Sequence, residues 1–176
     1  METTKFKLAP ATSTIEWIGR KVTGSHNGTI DTKEGIFVFN DGKLSGGKVV
    51  IDTTAIKILD VTDPDTNAQF AGHLASDDFF NSAQYPEALF EITSVEPGTR
   101  TSNIKGILTI KGLNHPVAFD AVTNITGNTF SLAGKITIDR TKYGMKFRSG
   151  NFFTNLGDTL IYNDFDLNVK ITAEAE

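Results

Sequence analysis

The sequence of 176 residues contains no cysteine. This absence excludes disulfides, reactive thiols and thiolate metal sites, so packing alone has to hold the fold together. Histidine is also scarce, and His26, His73 and His115 lie far apart without the spacing of a metal-binding motif. We therefore expect no metal site and no cofactor. His73 is predicted on a helix, whereas His26 and His115, which precedes Pro116, are predicted in turns.

The chain also lacks an excess of positive charge and any long apolar run. Its formal net charge of −4 argues against nucleic acid as a partner, which would require a basic surface. The longest apolar runs, such as residues 36–39, are too short to span a membrane. The first residues show no basic segment followed by an apolar run, which predicts a cytoplasmic protein, or a periplasmic one if a leader has been removed.

Catalytic motifs are missing too. The sequence has no Gly-x-Ser-x-Gly nucleophile motif and no glycine-rich phosphate loop before a helix. The carboxylate pair Asp77 and Asp78 fits helix capping better than general acid and base chemistry. These absences predict a protein that is not an enzyme. No linker, repeat or change of composition divides the chain, so residues 1–176 are expected to form a single domain.

What dominates the sequence is the alternation of apolar and polar residues. In residues 165–171, every second side chain from Phe165 to Ile171 is apolar, which is typical of a strand with one buried face. The same alternation recurs in residues 104–110, 117–121 and 132–138. It predicts about eight to ten strands. Hairpin signals at 40–42, 97–99 and 127–128 connect them into an antiparallel arrangement.

One segment departs from the strand pattern. Asp63 and Pro64 form a helix start, and Phe70 and Leu74 lie four residues apart on one helical face. A second cap at Ser76 leads into a short turn that carries Phe79 and Phe80. This helical insertion is predicted to place its four apolar side chains, Phe70, Leu74, Phe79 and Phe80, over the sheet as a lid.

Two architectures fit such a set of one-faced strands. One is a sandwich of two sheets, and the other is an extended antiparallel up-and-down β-barrel. Short connections favour the barrel, and closure also removes exposed edges. An eight-stranded barrel has an interior that holds either side chains or one small ligand. The all-β fold therefore raises the question of whether its interior is filled.

Two cationic residues occupy positions at which the alternation of a predicted strand calls for the next inward-facing apolar side chain. Lys21 follows Ile15 and Trp17, and Arg140 follows Ile136 and Ile138. Such cations could lie in solvent where the strands end, or pair with a nearby carboxylate such as Asp139 or Glu16. Alternatively they could anchor an anionic or strongly polar head group at the mouth of an apolar cavity, since a guanidinium matches phosphate oxygens well.

Several motifs occur together in a fixed order. They are Trp17-x-Gly-x-Lys21, Gly24-x-His-x-Gly28, Gly72-His-Leu-x-Ser-x-Asp-Phe-Phe80, Tyr85-Pro86, Phe90, and the stretches 106–112 and 138–144. In these residues the sequence resembles the YceI-like family, and the match extends over about residues 12 to 173. The sequence departs from the family at Ala75, where relatives often carry Arg.

The resemblance implies a lipocalin-like barrel with one short helical insertion and a long apolar cavity. It implies binding of polyisoprenoids or other long-chain amphiphiles, including fatty amides, and a possible homodimer. From the residues alone two alternatives remain, namely an enzyme acting on a lipid-like substrate and an interaction protein with a filled barrel. We predict binding, in transport or storage, of a long-chain isoprenoid or fatty ligand.

The predicted ligand-binding residues fall into three groups. The lid residues and the two cations are named above. The predicted walls of the cavity are the remaining inward-facing side chains: Trp17, Phe37, Phe39, Phe90, Leu108, Ile110, Phe119, Ile136 and Ile138.

Overall fold

The computed structural model describes residues 2–149 and 160–176. The described strands are β1 (Thr3–Leu8), β2 (Thr14–Lys21), β3 (Gly24–Asn40), β4 (Lys43–Ile58), β5 (Glu87–Pro97), β6 (Ser102–Ile110), β7 (Leu113–Thr126), β8 (Thr129–Asp139) and β9 (Ile161–Ala175). Helix α1 (Pro64–Ala75) connects β4 to β5. Two short 3-10 turns, Pro10–Thr12 and Arg140–Tyr143, follow β1 and β8.

These strands form one closed antiparallel barrel. Neighbouring strands pair in the order β3, β4, β5, β6, β7, β8 and β9. The remaining position between β9 and β3 is shared by β1 and β2, because the turn Pro10–Thr12 interrupts what would be one long strand. The barrel therefore has eight positions, and the structure confirms the lipocalin-like barrel rather than the sandwich.

Tight hairpins explain the consecutive order of the strands. The turn at Asp41 and Gly42 has both residues at positive φ, 52° and 79°, which is the backbone twist that suits a two-residue hairpin. The predicted hairpins at 97–99 and 127–128 also connect paired strands. A further hairpin at Lys111 and Gly112, with φ of 54° and 74°, joins β6 to β7.

The prediction of a turn at His115 and Pro116 was wrong. Both residues lie inside β7, where His115 pairs with Leu108 and Pro116 with Ile107. Proline, which has no backbone N–H, is tolerated here because β7 pairs with β8 only from Ala121 onward. The edge of β7 that faces away from β6 therefore has no strand partner at Pro116 that would accept a hydrogen bond.

One end of the barrel is closed by an aromatic cluster. Phe130 packs against Phe6, Phe37 and Phe39, with ring centroids 5.1–6.1 Å apart, and all four side chains are buried. Large rings that meet at these distances fill the interior of a small barrel. We call this group the aromatic plug.

Helix α1 lies over the opposite end of the barrel. Asp63 caps the helix by accepting hydrogen bonds from the side chain and backbone N–H of Thr66, which lower the pKa of its carboxyl group. No residue of α1 is fully buried, so the helix covers the barrel rather than filling it. The described parts of the chain hold no helix with the length and apolarity needed to cross a membrane.

Candidate ligand cavity

The barrel interior is open between the aromatic plug and helix α1. A cavity of about 590 Å³ lies under the helix, at the end where β2, β6 and β8 finish. A second cavity of about 50 Å³ lies deeper in the barrel. The interior of this structure is therefore not completely filled by side chains. An interaction protein with a filled barrel, the alternative named above, would require a filled interior.

The predicted lid residues all line the larger cavity. Phe70 projects from α1 toward Trp17, with ring centroids 6.2 Å apart. It also forms a T-shaped contact with the ring of His26, with ring centroids 4.8 Å apart. Leu74, Phe79 and Phe80 complete the predicted group. The helical insertion thus presents its apolar side chains to the barrel mouth.

The predicted wall residues divide among three places. Trp17 and Ile110 line the larger cavity; Phe37, Phe90, Phe119 and Ile136 line the smaller one; and Leu108 lines both. Phe39 and Ile138 line neither cavity, because Phe39 belongs to the aromatic plug and Ile138 is buried in the core. Alternation predicts that a side chain points inward, but not where it lies along the barrel axis.

Two glycines make room for large aromatic rings in the barrel interior. A Cβ atom on Gly106 would lie 2.7 Å from the ring of Phe90, and one on Gly134 would lie 3.0 Å from the ring of Phe119. These rings occupy the space that a side chain on the neighbouring strand would need. Glycine at these two positions therefore leaves room for the rings of Phe90 and Phe119, which line the smaller cavity.

The two predicted cations occupy different environments. Lys21 lines the larger cavity directly opposite Ile161 of β9, and its side chain has no hydrogen bond or ion pair with any described residue. Arg140 also lines this cavity, yet its side chain is only 3 % exposed. Its guanidinium donates hydrogen bonds to the carbonyls of Met145, Ile161 and Tyr162.

Arg140 therefore neither reaches solvent nor pairs with a carboxylate among the described residues. Burial lowers the pKa of its guanidinium, and the nearby Asp139 carboxylate acts in the opposite direction. Asp139 itself accepts hydrogen bonds from the backbone and hydroxyl of Thr141. The three carbonyls hold Arg140 between the end of β8 and the start of β9, so the side chain fixes the mouth of the cavity.

Cationic side chains surround the start of β9. The backbone N–H of Ile161 donates to the carbonyl of Arg148 at 2.9 Å, so Lys21, Arg140 and Arg148 all lie next to Ile161. Arg20, the other cation of the lining, is paired with Asp166 at 2.7 Å. Asp164 is the only acidic side chain among the described lining residues. The described lining of the mouth thus carries more positive than negative side chains, although the whole chain has a net charge of −4.

Each histidine has its own polar partner. His26 is 2.8 Å from Asp60, His73 is 2.9 Å from Asp78, and His115 donates to the carbonyl of Lys142 at 2.7 Å. Hydrogen bonds from Asn27 and His26 lower the pKa of Asp60, although burial alone would raise it. Within residues 2–149 and 160–176, no three His, Asp or Glu side chains come together in a way that could hold a metal ion.

No sequence pattern predicted that the segment after β8 lines the cavity. Met145, Phe147 and Arg148 line the larger cavity, and Phe147 packs against His73 at 4.6 Å between ring centroids. The turn before them is anchored by Tyr143, whose hydroxyl donates to the carbonyl of Leu108; burial raises the pKa of Tyr143 to about 12. This segment has neither strand nor helix periodicity, so no sequence pattern indicated its position.

A closed antiparallel barrel with one plugged end and an apolar interior under a helix is a lipocalin-like barrel. The comparison with protein families agrees with this class, because the model of the YceI-like domain matches residues 6–173. The chain belongs to the YceI-like family.

Individual relatives cover the chain to different extents. Protein YceI from Escherichia coli O157:H7 is 37% identical over 97 residues, which is 53% of this chain and 47% of that protein. The chain thus spans about half the length of the curated relatives it matches. The crystal structure of BcnA from Burkholderia cenocepacia matches with a TM-score of 0.71 and 20% identity, covering 94% of this chain and 99% of that one.

A second solved structure shares the same fold. It is described as a polyisoprenoid binding domain from Saccharophagus degradans, and it matches with a TM-score of 0.70 and 11% identity. The match covers 97% of this chain and 98% of that domain. At such identities the likeness shows a shared barrel fold.

Proposed function

We propose that this protein binds a long-chain isoprenoid or fatty amphiphile in its larger cavity, and that it carries or stores this ligand without transforming it. The observation that carries the proposal is the cavity of about 590 Å³ inside a barrel whose far end is plugged. Burying a hydrocarbon chain there contributes about 0.8 kcal/mol for each methylene group. The polyisoprenoid-binding description of one structural neighbour supports the same ligand class.

The polarity of the cavity gives the ligand a direction. The deep walls are aliphatic and aromatic, whereas Lys21, His26 and Arg148 lie at the mouth. A hydrocarbon tail is stable where no polar group needs a partner, and a head group is stable where it can be hydrated or paired. The tail therefore points toward the aromatic plug, and the head group lies at the mouth.

Replacing Leu108 by Trp tests whether the interior binds the ligand. Because Leu108 lines both cavities, the indole fills space that the tail would occupy. We expect the affinity for geranylgeraniol, measured by displacement of a fluorescent fatty probe, to fall about tenfold or more, the equivalent of burying two fewer methylene groups.

The matched control is Val122→Trp, which adds the same indole to an exposed position on β7. This variant should bind geranylgeraniol as tightly as the wild-type protein. Wild-type protein that contains no extractable apolar molecule after purification and takes up no prenol or fatty chain would contradict the proposed function.

The charge at the mouth indicates an anionic head group. Lys21 lines the cavity without a partner among the described residues, so the oxygens of a phosphate or carboxylate would supply one. Arg140 adds positive charge nearby, but its hydrogen bonds already hold the backbone in place. Lys21 is therefore the side chain whose replacement reports on the head group.

We expect Lys21→Ala to weaken binding of geranylgeranyl phosphate about fivefold while leaving geranylgeraniol unchanged, since a partly exposed ion pair contributes about 1 kcal/mol. The expected loss should shrink at high salt. Lys142→Ala removes an exposed cation that does not line the cavity and serves as the control. Equal losses for the phosphate and the alcohol would exclude the anionic head group.

A further inference from the structure

The cavity under the helix and the smaller, deeper cavity share part of their lining. Among the described residues, four line both cavities: Ile15, Ile51, Leu108 and Leu167. They come from β2, β4, β6 and β9, so they approach the barrel axis from four sides. We call this group the dividing layer, because its four side chains border both the cavity of about 590 Å³ and that of about 50 Å³.

The smaller cavity beyond this layer is suited to hydrocarbon alone. The described residues of its lining are all Ile, Leu, Val or Phe, without a polar side chain. Such a space offers no hydrogen-bond partner to water. At its far side Phe37 belongs both to the cavity wall and to the aromatic plug, so the space ends there.

We propose that the dividing layer sets the length of the hydrocarbon tail that this protein accepts; the proposal rests on the proposed function. A tail that enters from the mouth gains buried area until its end meets the layer. A longer tail has to leave part of its chain outside, or to displace four packed side chains. Affinity therefore increases with chain length up to the layer and decreases beyond it.

Leu108 is the member of the layer that tests this most directly. Its backbone carbonyl accepts the hydrogen bond from Tyr143, and the strand pairs on both sides, so its position is fixed independently of its side chain. Replacement by alanine removes three carbon atoms from the layer. The two cavities should then form one continuous space that ends at the aromatic plug.

The experiment measures the affinity of prenyl alcohols from geraniol to octaprenol by displacement of one fluorescent probe. For Leu108→Ala we expect the chain length of highest affinity to increase by at least one isoprene unit. Affinity for the first prenol beyond the wild-type optimum should rise about tenfold or more, because additional methylene groups become buried. Leu167 is a half-buried member of the dividing layer, and Leu167→Ala should shift the optimal chain length in the same direction. If Leu108→Ala does not fold, Leu167→Ala tests the role of the layer.

The matched control is Ile138→Ala, which truncates a buried aliphatic residue that lines neither cavity. Its optimum should remain that of the wild-type protein. An unchanged optimum in the folded layer variants, or an equal shift in the control, overturns the role of the layer while the proposed function stands. If the wild-type protein binds no prenol of any length, the proposed function and this proposal fail together.

Discussion

Replacing Gly28 by alanine is expected to lower the free energy of unfolding by about 3 kcal/mol. A Cβ atom at this position would lie 1.8 Å from the backbone carbonyl oxygen of Lys57 and 2.6 Å from Cζ2 of Trp17. The first contact is with backbone in the neighbouring strand, so β3 and β4 have to separate locally. The second displaces the indole, which lines the larger cavity.

Urea unfolding monitored by tryptophan fluorescence measures this effect, since Trp17 is the single tryptophan of the chain. Gly46→Ala is the control, because no atom lies within 4 Å of its Cβ position. This variant should be as stable as the wild-type protein or slightly more stable, through reduced freedom of the unfolded chain. Similar losses in both variants would show that the close approach at Gly28 does not cause the effect.

A second large effect is expected for Arg140→Ala, again with a loss of about 3 kcal/mol in the free energy of unfolding. The substitution removes three hydrogen bonds from a charged donor. It leaves the carbonyls of Met145, Ile161 and Tyr162 without that donor at the mouth of the cavity. The start of β9 and the turn after β8 lose the side chain that connects them.

Two further variants separate geometry from charge. Arg140→Lys keeps the positive charge, but a single ammonium cannot reproduce the planar arrangement of donors, so it should recover little stability. Arg148→Ala removes an exposed cation that lies 4.9 Å from the Phe147 ring centroid, and it should cost about 0.5 kcal/mol. Thermal unfolding that ranks Arg148→Ala equal to Arg140→Ala would contradict the structural role of Arg140.

Local sequence patterns predicted the elements of this fold well. In β9, the apolar residues from Leu167 to Ile171 point into the barrel, and the alternate positions face outward, as the alternation requires. The capping residue Asp63 starts α1 where expected. These predictions depend on neighbours in sequence, so a pattern of a few residues contains the information they need.

The candidate site was harder to predict because it depends on distance along the barrel axis. Phe37 and Phe39 occupy the same face of β3, yet one lines a cavity and the other belongs to the aromatic plug. Likewise, Lys21 at the end of β2 and Arg140 just after β8 continue the apolar phase of their strands, but only Arg140 of the two meets three carbonyls. Most of these contacts are made with residues more than twenty positions away in sequence, such as Phe130, Ile161 and Tyr162, which no local pattern contains.

Local sequence patterns were enough to predict which side chains face inward and where most hairpins lie, because alternation and glycine-containing hairpins act over a few residues. The sequence also pointed to a family whose members share the barrel. The packing of distant strands determines that β1 and β2 share one position, that glycines make room for Phe90 and Phe119, and that four aliphatic residues line both cavities. Closure of the barrel and the free space inside it depend on how strands distant in sequence pack together.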